Sequence, residues 1–246
     1  MGLPVVTVAS GGMPVVEAAF GTPVTEAANK YGVPVTKVIG MPGLPVVFET
    51  IGVTVPPVVY DTFNPADIVN VLLSNGNLTV TGKVGTGGAR GSKAISAGKN
   101  YFEGKLTAII NNSQALGVCT AAAALATING NTTGAASITR LGVIFVNNVN
   151  TGVSLGTRAV NDVLGVVVDT TARLIWFRVA PVGNWNNSGT ADPATGIGGL
   201  SISALSGGLY VLASTGTTAN DAVTMNFGAS AFVGAVPAGV TAGWPA

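Results

Sequence analysis

Over the first fifty positions one short proline-containing unit returns every nine to eleven residues. The unit is Gly-x-Pro-Val-(Val/Thr). It occurs as Gly2-Leu3-Pro4-Val5-Val6, Gly12-Met13-Pro14-Val15-Val16, Gly21-Thr22-Pro23-Val24-Thr25, Gly32-Val33-Pro34-Val35-Thr36 and Gly43-Leu44-Pro45-Val46-Val47. No continuous helix is compatible with it. Proline lacks the amide proton and clashes with the preceding turn, and glycine is a poor helix former. Proline also holds the residue before it in extended conformations, and the valine and threonine pairs favour strand. Each unit is therefore expected to be a short extended piece followed by a turn.

The period is shorter than the roughly 20–50 residues of the helical solenoids. Glycine does not recur at every third position, so the triple helix of collagen is excluded. Proline cannot donate to a ladder, which suits these pieces to sheet edges. One copy alone buries little apolar surface. Three arrangements remain: a trimeric stem of chains wound together, an arm lying along another protein, or a flexible linker. In the first two, Pro4, Val5, Pro14, Val15, Pro23, Val24, Pro34, Val35, Pro45 and Val46 are the residues expected to trimerise or attach the chain.

The stretch from Ile51 to Pro65 contains Pro56-Pro57, a stiff spacer signal. The expected division is an arm over residues 1–55 and a β domain over residues 56–246, with residues 56–65 as the junction. The second region reads as many short strands. Leu78-Thr79-Val80-Thr81 alternates after the turn signal Asn75-Gly76. In residues 101–110, Phe102, Leu106, Ala108 and Ile110 share one face, and Tyr101, Glu103, Lys105 and Thr107 share the other. Residues 163–168 and 174–179 are apolar runs on either side of a polar turn, which predicts a central hairpin buried on both faces. Further strands are expected over residues 141–146, 209–213 and 223–227. Closely spaced strands with Gly and Asn turns predict an antiparallel sandwich or barrel. One or two helical turns are expected over residues 65–73, and a loop or strand over residues 121–125.

Composition limits the chemistry. The chain has no histidine and one cysteine, Cys119, so Ser-His-Asp and Cys-His nucleophiles are excluded. Nearly every zinc site is excluded with them. Cys119, in an apolar setting, is expected to be a small buried hydrophobe. A glycosidase needs two carboxylates facing across a cleft. Glu103, Asp162, Asp169, Asp192 and Asp221 are the candidates, and turn or surface roles explain them more simply. Asp61 and Asp67 are near each other, but no dense acidic loop suggests calcium, and neither a metal nor a cofactor is expected. A net charge of +1 gives no basic stripe for nucleic acid. No uninterrupted apolar run is long enough for a membrane helix. Charged residues make up only 9% of the chain. So few charges argue for burial against copies of itself or a larger assembly.

The candidate ligand site is Trp185 with Asn184, Asn186 and Asn187. An aromatic platform among amide donors and acceptors suits a sugar, and packing of Trp185 beneath its own long loop is the competing explanation. Trp176 is expected in the core, and Trp244 as a C-terminal plug.

Four ordered stretches resemble the SPRY domains. Gly98-Lys99-Asn100-Tyr101-Phe102-Glu103 resembles their "GKxYFE" strand, and Gly117-Val118-Cys119-Thr120 the "G(I/V)xT" strand after it. Residues Val163 to Asp169 with Leu174-Ile175-Trp176-Phe177 resemble the "GDxIGVxxD…LxF" hairpin, with Asn161-Asp162 where the pattern has Gly-Asp. Asn226-Phe227-Gly228, Phe232 and Pro237-Ala238-Gly239 resemble the closing "NFGxxxF…PxG". The resemblance implies a concanavalin A-like sandwich of two curved antiparallel sheets. Phage and prophage structural proteins carry such modules, and the loop from Trp185 to Gly199 is similar to one of their long loops. The N-terminal repeats resemble the leaders of phage-encoded proteins. The resemblance thus implies a non-enzymatic virion protein, a fibre, spike or capsid-decoration subunit on the particle surface. Its expected partners are itself, as a homotrimer, capsid or tail proteins, and host surface glycan.

Overall fold

The computed structural model describes residues 57–111, 113–127 and 132–246, together with two short strands, Lys37–Ile39 (β1) and Val47–Glu49 (β2). The chain divides into Met1–Pro57 and Val58–Ala246. In the first unit β1 and β2 pair antiparallel, Lys37 opposite Glu49. The residues expected to trimerise or attach the chain, Pro4, Val5, Pro14, Val15, Pro23, Val24, Pro34, Val35, Pro45 and Val46, lie outside the described residues.

The second unit is two sheets packed face to face. The first sheet runs in the order β11 (Val149–Ser154), β10 (Val143–Val146), β9 (Ala135–Thr139), β8 (Ala115–Cys119), β15 (Tyr210–Thr215), β6 (Gly87–Gly91) and β3 (Phe63–Val69). The second runs β14 (Leu200–Ser201), β13 (Leu174–Val179), β12 (Val163–Asp169), β7 (Lys99–Ala108), β16 (Ala222–Asn226), β5 (Thr79–Gly82) and β4 (Val71–Ser74). Every pairing within these two rows of strands is antiparallel. β17 (Thr241–Ala242) adds in parallel to the start of β7. No helix among the described residues is long and apolar enough to cross a membrane.

The period-two pattern of the sequence explains the layering. Phe102, Leu106, Leu164, Val166, Val168, Ile175, Phe177, Val223 and Met225 of the second sheet point inward. There they meet Leu116, Val118, Ile138, Ile144, Val211 and Ala213 of the first. The hairpin β12–β13 is buried on both faces, as its apolar runs predict, because Val167 and Trp176 point outward and are also fully buried.

Residues 65–73 are not helical. β3 and β4 occupy them, and Asn70 turns the corner from one sheet to the other with φ +49. Pro65 is tolerated because β3 is an edge strand with a register shift between Phe63 and Ile68. Residues 121–125 form turns and not a strand, and Leu141 lies in the turn before β10. Among the described residues, ten non-glycine positions have positive φ, and nine of them are asparagine. These nine asparagines serve backbone geometry, since the short amide tolerates the left-handed region.

The C-terminal segment closes the domain. Trp244 is fully buried, edge-on to Phe102 at 5.6 Å, and its indole N–H donates to the Lys93 carbonyl at 3.0 Å. Tyr60 bridges to Pro245, so the two ends of this unit lie together.

Phe102→Ala should destabilise the full chain by about 3–5 kcal/mol, because the ring touches core on every side and little can collapse into the hole. Lys105→Ala, on the opposite face of the same strand, should change stability by less than about 0.5 kcal/mol. Urea denaturation followed by tryptophan fluorescence measures both.

Candidate functional site

The outward face of the second sheet carries three cross-strand rows, fixed by the register. The first row is aromatic: Tyr101 on β7, Val167 on β12 and Trp176 on β13. The second is polar: Asn226 on β16, Glu103 on β7, Gly165 on β12 and Arg178 on β13. The third is Ser74 on β4, Thr79 on β5, Thr224 on β16, Lys105 on β7 and Val163 on β12. The first two rows are covered by the segments 184–199 and 229–240. The third is open.

Glu103 is 2% exposed, so the surface role that its mid-strand position suggested is corrected. The phenol of Tyr101 donates to its Oε1 at 2.5 Å, and the backbone amides of Val233 and Gly234 donate to it at 2.9 and 2.7 Å. Arg178 lies 4.4 Å from the Trp185 ring centre and donates to the Ala235 carbonyl at 2.6 Å. Phe232 packs edge-on to Tyr101 at 4.8 Å. Burial, and then the hydrogen bond to Glu103, raise the Tyr101 phenol well above its ordinary range. Gly165 makes room for that ring, since a Cβ there would lie 2.7 Å from the Tyr101 hydroxyl. The Tyr-Phe-Glu run thus has two jobs. Phe102 fills the sandwich, while Tyr101 and Glu103 pin the C-terminal segment to its outside.

Trp185 is 8% exposed, with Arg178 over its face and Tyr101 against it at 6.3 Å. The ring packs under its own loop and is not presented as a platform. Asn186 is buried and holds the edge of β13. Its Oδ1 accepts from the Phe177 amide at 2.9 Å, and its Nδ2 donates to the carbonyls of Ile175 and Gly198 at 3.2 and 2.8 Å. Asn184 and Asn187 are exposed, and Asn187 has φ +56. The structure therefore does not bring the four residues together around one open space.

The other carboxylates are also engaged. Asp61 accepts from the Lys93 amide, Asp67 from Arg90, and Asp162 from the Ala159 amide. Asp169 accepts from Thr171 and Ala172, Asp192 from Ala194, and Asp221 from Ile110 and Asn111. All seven carboxylates of residues 58–246 are thus held by a backbone amide or an arginine. On the outer face of the first sheet, Arg90 ties the 120–127 turns down by donating to the Ala123 carbonyl at 2.6 Å. Cys119 is buried there, and burial pushes its thiol up to about 11.

What remains open is a groove over the third row. Asn75, Lys105, Val163, Thr224, Ser230 and Val233 line it, and Glu103 lies at its covered end. The hydroxyls of Thr79 and Thr224 are 2.8 Å apart, and Thr107 is 3.4 Å from Thr224. The groove is mainly apolar, with Leu78, Met225, Phe227 and Ala231 in its lining, and an exposed ammonium, hydroxyls and an amide stand along it. An apolar floor with hydrogen-bonding groups at its side suits a ligand with both an apolar face and hydroxyls, as a sugar ring has. Strand alternation places Lys105 and Thr224 outward from sequence alone. Which residues stand beside them is set by strand order and register, which alternation does not fix.

Cys119 should be inert to a thiol reagent at pH 8 in the folded chain, because a pKa near 11 leaves about a thousandth of the thiol ionised and burial blocks approach. It should react fully in denaturant. Absorbance of released thionitrobenzoate measures both. Glu103→Gln should cost about 2–4 kcal/mol, since one of three inward donors then faces an amide N–H₂. It should also speed proteolytic cleavage within residues 229–240, read by mass spectrometry of limited digests.

No family model matches the chain, and no curated protein sequence matches it. Solved structures do. The SPRY domain of human HERC1 is similar with a TM-score of 0.51 and 18% identity, over 66% of this chain and 96% of that one. The TRIM65 PSpry domain is similar at 0.48 and 15%, over 68% of this chain and 92% of that one. The two antiparallel sheets and the HERC1 likeness together give residues 58–246 a SPRY-like, concanavalin A-like β-sandwich fold.

Proposed function

We propose that this chain is a non-enzymatic structural and recognition protein of a bacteriophage particle. The N-terminal repeats attach it or wind it into a trimer, and the SPRY-like sandwich is displayed and binds host surface glycan through the groove around Lys105. The observation that carries the recognition reading is the state of the carboxylates. Each of the seven is committed to an amide or an arginine, whereas Lys105 and its hydroxyl neighbours face open groove. General acid–base work on a glycosidic bond needs two carboxylates facing a shared space. The groove has instead the donors and acceptors of a binding surface.

The particle assignment is supported by the repeats and by the surface. Val58, Val59, Val84 and Val182 are 62%, 69%, 80% and 88% exposed on a chain with few charges. So few charges suit a subunit held in an assembly.

The full chain should be a stable homo-oligomer by multi-angle light scattering. A monodisperse monomer with the repeats intact would count against the trimeric stem. Immobilised full chain should bind particular glycans on an array, and Lys105→Glu should weaken that binding at least about tenfold, or 1.4 kcal/mol. Equal binding by the variant would remove the groove from the proposal, and no glycan binding at all would remove recognition.

A further inference from the structure

Three polar side chains point into the apolar interior at one end of the sandwich. Asp221 precedes β16, whose Val223 and Met225 face inward, so alternation turns Asp221 inward too. Gln114 precedes β8 and has the parity of Leu116 and Val118. Thr215 ends β15 with the parity of Val211 and Ala213. Ser214 pairs with Ala115, which sets Thr215 and Gln114 side by side at the next step of the ladder. Gly82 joins the two sheets here. Its amide donates to the Asp221 carbonyl at 2.8 Å, and a Cβ on it would lie 2.7 Å from Thr215 Oγ1. All three side chains are fully buried.

Their hydrogen bonding is one-sided. Asp221 Oδ1 accepts from the amides of Ile110 and Asn111 and from Gln114 Nε2, at 2.5, 3.0 and 2.7 Å. Gln114 Nε2 also donates to the Ala108 carbonyl at 2.8 Å. Both of its partners are acceptors, so the amide cannot be turned round. Asp221 Oδ2, Gln114 Oε1 and Thr215 Oγ1 are left without a partner. Asp221 takes part in none of the ion pairs of the described residues. Three buried oxygens without a donor and one carboxylate without an ion-pair partner are costly in an apolar interior, unless something positive or donating lies beside them.

We infer that this end of the sandwich is a binding site for one alkali-metal cation, sodium or potassium, held by Asp221 Oδ2, Gln114 Oε1 and Thr215 Oγ1. All three donors are hard oxygens. A single positive charge neutralises the single carboxylate, whereas a divalent ion would leave a net charge in the core. The ion would tie β16 of one sheet to β8 and β15 of the other, where the strands leave the apolar core.

The test is thermal unfolding of the full chain in 0.15 M sodium, potassium or choline chloride, which screen surface charge equally. Tm should rise by roughly 3–6 °C in one or both alkali salts, the shift expected at about ten times the dissociation constant. Asp221→Asn, which removes the one charged ligand, should show one Tm in all three salts. Thr215→Val keeps the shape, removes one ligand and should lose part of the increment. It serves as the readout if the first variant does not fold. Rubidium-soaked crystals of the full chain should show anomalous density beside Asp221 Oδ2. Equal wild-type Tm in all three salts, or a rise in potassium without rubidium density, would overturn the inference, as expected if a buried water satisfies these oxygens.

Discussion

Glu103 sits mid-strand with its carboxylate facing out of the sheet, a position where an alternating strand ordinarily meets water. Here it is buried, and the amides of Val233 and Gly234 and the phenol of Tyr101 converge on it. Charge-assisted bonds of this kind are among the stronger ones a fold can make. Residues 229–240 also pack Phe232, Val236 and Val240 against the aromatic row. Held by Glu103, they carry Phe232 onto Tyr101 and lead the chain back beside β7. From there Trp244 enters the core. That carboxylate, with the packing of Phe232, Val236 and Val240 and the Arg178–Ala235 bond, fastens the cover over the aromatic row.

The same arrangement explains how recognition and rigidity divide one sheet face. Moving across the outward rows, side chains pass from packed aromatics, through a buried polar row, to open threonines and a lysine. Strand register sets the spacing, so the open row stands on a surface already fixed by the two beside it. A recognition surface on rigid strands loses little conformational entropy when it is occupied. The chain has few charges to spare, and the domain spends its carboxylates on organising backbone. Asp169, Asp192 and Asp162 order turns, Asp61 and Glu103 anchor neighbouring segments, and Asp67 holds the arginine that fastens the turns after β8.

The interior follows the same economy at its end. A sandwich core is dry in the middle, where Phe102, Leu116 and Val166 meet, and becomes polar where strands leave the sheet. Asp221 gathers the Ile110 and Asn111 amides, which belong to no ladder, and so satisfies donors at the end of β7. That service places a negative charge inside the protein, beside Gln114 and Thr215.

Much of the fold was legible in the residues. Period-two alternation gave Phe102 and Leu106 of β7 and Val223 and Met225 of β16 as inward, whereas Ile110, expected with them, lies beyond β7 and is exposed; two apolar runs gave the doubly buried hairpin, and the resemblance of four stretches to SPRY domains gave the sandwich. Residues 65–73 misled, because a proline beside apolar residues suits a helix start as well as an edge strand. The choice was made by pairing with β6 and by a left-handed Asn70. Trp185 with three asparagines allowed either a sugar platform or a ring packed under its own loop, because composition cannot separate an amide offered to a ligand from one that caps a strand edge. Asn186 does the latter.

The sequence by itself determined the class of structure and the limits of its chemistry. Absent histidine, glycine and proline punctuation, and strand-length alternation are local facts that no packing can reverse. Only the tertiary structure decided which outward residues are wet. Glu103 and Lys105 are two positions apart on one face of one strand, and alternation treats them alike. A segment more than a hundred residues further along covers the first and leaves the second open, because the distance between them in space is set by strand order and register.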